Sequence, residues 1–117
     1  MAKISILAGL ITALPTTEKT LESFTAIKGM EIVEIYACVW DTTSYKPMDG
    51  RVSVALYEMK GETKSREILE PIMARVIAEL DSPLKIQHHP EDGNVIKLVA
   101  SSPASEAIAY MLRVATP

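Results

Sequence analysis

Between residues 64 and 80 the aliphatic side chains Ile68, Leu69, Ile72, Met73, Val76, Ile77 and Leu80 recur at spacings of three and four. That period lays one apolar stripe along a helix. Arg66, Glu67, Glu70, Arg75 and Glu79 make the opposite, solvated face and form no catalytic pair. Thr63 or Ser65 stands where an N-cap belongs. Pro71 either kinks the helix near Glu67 or opens its regular part, and Asp81-Ser82-Pro83 stops it. With strand-like segments on both sides, the pattern predicts a single α+β domain over residues 1–117. Its two layers are a mixed or antiparallel sheet and a main helix at about 64–80, joined by an N-terminal helix.

A chain of 117 residues buries one core. With 48% apolar and 23% charged residues it is globular rather than disordered. Aromatics are only 5%, so the core is aliphatic. A mean hydropathy of +0.15 is high for a small monomer and predicts that another subunit covers part of the apolar surface. Net charge is −3, from 12 basic and 15 acidic residues. Neither a basic excess nor a basic run is present, so no specific nucleic-acid partner is expected. The single cysteine, Cys38, lies in an apolar run and reads as a buried, inert thiol in a reducing compartment. The apolar stretch to Leu14 lacks an A-x-A-type cleavage site and is too short to span a bilayer, so no membrane partner is expected.

Residues 3–14 fit two periods. Ile4, Leu7, Ala8, Ile11 and Leu14 make a helical face, while Ile4, Ile6, Ala8 and Leu10 alternate as a strand. Length favours a helix ended near Pro15. Residues 16–28 read as a loop or a short capped turn. Residues 32–40 are apolar on both faces, the mark of a central strand or of one covered by a partner chain. A polar ten-residue loop, 41–50, joins them to a return strand at 51–60, and together they read as a long hairpin. Short strands follow at 84–88 and 95–100, with turns at 90–94 and 101–105. The last segment is again two-valued. Ile108, Tyr110, Leu112 and Val114 alternate as a strand, whereas Ser102-Pro103 followed by Glu106 is a good helix start.

No constellation of residues carries chemistry. His88 and His89 are adjacent on a strand, point to opposite faces and do not readily share a metal, even with Glu91 and Asp92 close by. Asp41, Thr42, Thr43 and Ser44 have no neighbouring histidine to act as base, and turn chemistry accounts for them. The five glycines are isolated and form no phosphate-binding motif. Trp40 and Tyr45 flank the long loop as interface anchors or as a cap on the core. The expectation is therefore no enzyme, no catalytic, cofactor-binding or metal-ligating residue, and no cofactor.

The order of segments "VSVALYEMKG", "SREILEPIMARVIAEL", "DSPLKI", "NVIKLVASS" and "AIAYMLRVAT", preceded by "LAGLITALP" and "EIVEIYACVW", resembles the small tail-terminator (tail-completion) proteins of long-tailed bacteriophages and prophages. The resemblance implies a non-enzymatic homo-oligomeric ring, usually a hexamer. Such a ring caps the tail tube and joins it to the head connector. It is made in the host cytoplasm and then resides in the virion tail. The helical signals at Ser102-Pro103 depart from that pattern. The alternative is an oligomeric small-ligand sensor or small enzyme on a ferredoxin-like scaffold. There residues 3–10 are a strand and 17–27 a helix, and "IKGMEIVEI" resembles nitrogen-regulatory signal proteins.

Overall fold

A computed structural model of the chain describes residues 3–48, 50–74 and 84–117. These form the strands β1 (Lys3–Ile11), β2 (Lys19–Thr25), β3 (Glu31–Asp41), β4 (Lys46–Pro47), β5 (Val52–Lys60), β6 (Thr63–Ala74), β7 (Leu84–His88), β8 (Val95–Ser101) and β9 (Ala107–Thr116). No helix occurs among the described residues. The first sheet runs β1-β9-β3, with β7 and β4 along the free side of β3; the second runs β2-β8-β5-β6. All pairs are antiparallel.

The pairing has a simple logic. Gly61, at φ +64, opens the turn between β5 and β6. Outward from that tip, β5 pairs β6, β3 pairs β7, β2 pairs β8 and β1 pairs β9. The chain is thus one long hairpin wrapped on itself, its successive pairs falling alternately on the two sheets. This is jelly-roll topology. The core lies between the sheets. It is filled by alternate residues, among them Ile35, Ala37 and Val39 from β3, Val52, Val54 and Leu56 from β5, Ile96 and Leu98 from β8, and Ile108, Leu112 and Val114 from β9.

The α+β expectation is overturned, because the described chain is all β. The helix placed at 64–80 is strand β6 as far as Ala74; residues 75–80 and the stop at 81–83 lie outside the described residues. The register of β6 explains why the helical period misled. Val54, Leu56 and Glu58 stand two apart on β5, yet their partners Ile72, Leu69 and Arg66 stand three apart, because the ladder is irregular at three places. Bulges insert residues into one strand and turn a spacing of two into one that imitates a helix. Pro71 falls in the first of these irregularities, on a strand with a single neighbour, where its missing N–H is tolerated.

The N-terminal helix is likewise replaced by β1, whose nine residues pair β9 in unbroken register. The helical alternative for the last segment is replaced by β9. Its start signal was read correctly as a cap but on the wrong element: Ser102 Oγ accepts from the N–H groups of Ala104 (3.3 Å) and Glu106 (3.1 Å). Ser105 at φ +52 then turns the chain out of any helix. Residues 19–25, expected as a loop or, on the ferredoxin-like alternative, within a helix at 17–27, are strand β2. The long hairpin of β3 with β5 is not formed, since the two lie in different sheets and β4 folds back on β3 instead. The strands at 32–40, 84–88 and 95–100 are found as expected.

One polar tie crosses from sheet to sheet beneath β1. Tyr110 on β9 donates its hydroxyl to Glu22 Oε2 on β2, at 2.5 Å. Gly9, opposite Tyr110 in the ladder, leaves the room; a Cβ there would lie 2.7 Å from the Tyr110 hydroxyl oxygen. Gly9→Ala is expected to push the ring off this bond and to cost about 1–2 kcal/mol in urea denaturation. In a Tyr110→Phe background the same change should cost less, because the bond is already gone.

Candidate interaction surface

Among the described residues the two buried carboxylates, Glu58 and Glu34, both have fixed partners. Glu58 is the fourth inward position of β5, after Val52, Val54 and Leu56, and is 4% exposed. Its Oε1 lies 2.7 Å from His88 Nε2 at the end of β7. Its Oε2 accepts from the Glu91 N–H at 2.9 Å and from Asn94 Nδ2 at 2.6 Å, both in the turn before β8. Burial pushes this carboxyl up, but the three donors outweigh burial and hold it below the usual range. An ionised carboxylate only accepts, so Nε2 of His88 carries the proton. Glu58 thereby clamps one end of the first sheet to the second, and neither of its oxygens is left to act as a general base.

The residues singled out in the sequence fall into place separately. His89 is exposed, with Nδ1 3.3 Å from the Met30 carbonyl, away from the Glu58 contact. No group of three or more His, Cys, Asp or Glu among the described residues is placed to hold a metal ion. Asp41 accepts from the N–H groups of Thr43 (2.9 Å) and Ser44 (3.3 Å) and from the Ser44 hydroxyl (2.5 Å). Led by the Ser44 hydroxyl, these bonds lower its carboxyl pKa. This is an Asx turn. Cys38 is half-buried, which raises its thiol pKa and lowers its reactivity. Trp40 and Tyr45 do meet, edge to face at 5.4 Å between centroids, with Tyr45 72% exposed.

What the structure brings together is an apolar face. On the first sheet, the residues pointing away from the core are Ile4, Ile6, Ala8 and Leu10 on β1, Ala109, Met111, Arg113 and Ala115 on β9, and Glu31, Glu34, Tyr36, Cys38 and Trp40 on β3. Strand alternation puts them there. On β3 an irregularity between Ile32 and Glu34 lets both Ile32 and Ile35 reach the core, so Glu34 turns outward with Tyr36. The charges on these rows gather at the end where β1 begins: Glu31 shares the row of Ile4 and Ala115, and in the row of Ile6 Arg113 Nη1 is 3.2 Å and Lys85 Nζ 3.6 Å from Glu34 Oε1. The remainder is uncharged and partly solvated, with Ile4 56%, Ile6 53% and Leu10 37% exposed.

The second sheet is dressed differently. Its outward cluster of Ala55, Tyr57, Val99 and Met59 carries Lys64 Nζ 3.6 Å above the Tyr57 ring and Glu18 on the Tyr57 hydroxyl at 2.7 Å. Sequence reading missed Ile4, Ile6, Leu10 and Met111 as surface residues. The signal was present in the alternation of 4, 6, 8 and 10, but it needed the choice of strand over helix.

Glu58→Gln is expected to cost about 2–3 kcal/mol at neutral pH, since an amide cannot accept from donors on both sides. The stability that the ionised Glu58 contributes is fully present above the unfolded carboxyl value of about 4.3 and is lost as pH falls through the lower folded value. The stability gap between wild type and variant should therefore shrink in denaturant titrations carried below that pH.

No family model and no curated protein matches the sequence. Among solved structures, the chain is similar to the Yersinia pseudotuberculosis-derived mitogen, at 18% identity and a TM-score of 0.43, over 97% of this chain and 86% of that one. It is similar also to a chain in the structure of infectious bursal disease virus Gx strain, at 13% identity and a TM-score of 0.46, over 99% of this chain and 32% of that one. Likenesses at these scores carry no inference about activity or partners.

Proposed function

We propose that this protein is a non-enzymatic assembly subunit that associates with copies of itself through the outward face of its first sheet. The observation that carries this reading is the set of uncharged outward side chains Ile4, Ile6, Ala8, Leu10, Ala109, Met111, Tyr36 and Trp40 on one side of a small domain, with the charges of Glu31, Glu34 and Arg113 confined to one end of it. A contiguous exposed apolar patch on a chain of this size is the ordinary mark of an interface. The positive mean hydropathy points the same way. A non-enzymatic role is supported by the commitment of Glu58 and Glu34 to fixed partners.

Magnitudes decide how much of the face has to take part. Fully covering half-exposed Ile4, Ile6 and Leu10 contributes about 1 kcal/mol each, or about 6 kcal/mol for two copies. Association costs about 4–15 kcal/mol in lost freedom. The β1 strip alone is marginal, so Met111, Tyr36 and the Trp40–Tyr45 pair belong to the contact in this reading. The tail-tube cap implied by the family resemblance is its narrower form. Part of that resemblance rested on a helix that is strand over residues 63–74, so its support is now the apolar face rather than the fold.

Sedimentation velocity at tens of micromolar should find wild type as a dimer or larger, and Met111→Glu and Tyr36→Glu as smaller assemblies than wild type with an unchanged β-type circular dichroism spectrum. A monomeric wild type sinks the reading. Rings seated on the ends of isolated tail tubes in electron micrographs would support the narrower form, and a stable oligomer that leaves such tubes uncapped would remove it.

A further inference from the structure

Among the described residues each sheet is bounded by strands with one unpaired side, and such an edge invites another chain unless it is blunted. Most edges here are blunted. On β2 the ladder is irregular between Thr20 and Glu22, and the strand carries Lys19 and Glu22. On β6 the ladder is irregular at three places and the strand holds Pro71. β7 is five residues long, pairs irregularly with β3, and has Gln87 at φ +52. β4 is two residues, one of them Pro47.

β1 has none of these devices. It is nine residues long, lacks proline, keeps unbroken register with β9, and has a single charge, Lys3, at its first position. Its outward side chains are the most exposed aliphatic ones of the first sheet.

We propose that two copies of this chain pair edge to edge through β1, antiparallel about a two-fold axis at Leu7, so that the first sheet continues from one copy into the other. This rests on the self-association reading and names its geometry. A second copy fits where a foreign strand has no stated claim, because the edge is complementary to itself. About Leu7, Ile4 stands opposite Leu10 of the second copy and Ile6 opposite Ala8 of the second copy. Each apolar outward residue then meets another and no charge is set against a like charge. An axis between residues would place outward positions opposite inward ones, which the pleat forbids. An axis at Ile6 or Ala8 keeps the faces but shortens the ladder.

Joining the edges also solves a problem of area. Three strands about 4.8 Å apart and a nine-residue length of about 30 Å give one copy a face of roughly 430 Å². That falls short of the roughly 800 Å² per partner of a standard interface. Two copies joined at β1 present a continuous face of about twice that size, enough to receive a further pair.

The test is a charge swap across the axis, read by sedimentation. Ile6→Lys alone and Ala8→Glu alone should each weaken dimerisation at least ten-fold. An equimolar mixture of the two should recover a mixed dimer, and a mixture of Ile6→Lys with Leu10→Glu should not. Should a charged variant fail to fold, single cysteines in a Cys38→Ser background take its place. Ile6→Cys mixed with Ala8→Cys should then form the mixed disulfide faster than Ile6→Cys mixed with Leu10→Cys. A dimeric wild type that ignores the edge charges and shows no disulfide preference overturns the edge pairing while self-association stands. A monomeric wild type overturns both.

Discussion

Closure by the C-terminal strands is the constraint on which the rest depends. β9 lies between β1 and β3, and β8 lies between β2 and β5. Without the last two strands neither sheet is continuous, and the apolar rows of β3 and β5 have nothing to hold them in register. The pairings that define the fold join residues from opposite ends of the chain, such as Lys3 with Thr116. Such contacts repay their loop-closure entropy only after most of the chain is in place. Individual strands are therefore not expected to persist alone, and local preferences at β1, β6 and β9 are overruled by partners distant in sequence.

The two layers are held by aliphatic burial and positioned by a few polar ties. Glu58 with His88, Glu91 and Asn94 closes one end of the sandwich, and Tyr110 with Glu22 fastens β9 to β2. Each tie is costly to leave unmade between apolar layers and modest in net gain when complete. Their value lies in fixing how one sheet sits on the other, which aliphatic contacts alone, tolerant of exchange, define less sharply. Together with Arg113 and Lys85 on Glu34, these ties engage the buried carboxylates among the described residues. The two outer faces differ: one carries a lysine and a glutamate on Tyr57, the other holds its charges at one end and is uncharged beyond it. A jelly roll hosts many unrelated activities, so the functional reading rests on that uncharged face and not on the fold.

Several parts of this structure were legible in the sequence for clear reasons. The strands at 32–40, 51–60, 84–88 and 95–100 alternate or are bounded by Gly, Pro and Asp turns, and local and tertiary preferences agree there. The two-sided apolar character of residues 32–40 marks a central strand, and β3 does lie between β9 and β7. The Asp41 turn was readable from its residue types. Over residues 64–74 the helical reading failed because of bulges, since an interrupted strand repeats every three residues and a periodicity count assigns that to a helix. Residues 107–116 fit both periods, and the helix-start signal at Ser102 belongs to a turn, where its hydroxyl caps the N–H groups of Ala104 and Glu106.

By itself, then, the chain determined an aliphatic core, a mild acidic balance and the central strands, because these follow from composition and short-range pattern. Tertiary structure alone decided that residues 3–11, 63–74 and 107–116 are strands, which strands are neighbours, and that Ile4, Ile6 and Leu10 face outward along an open edge. The physical reason is that an apolar segment without a clear period satisfies its backbone equally well within a helix or against another strand. Only the partner, here more than a hundred residues away for the first strand, settles which one it becomes.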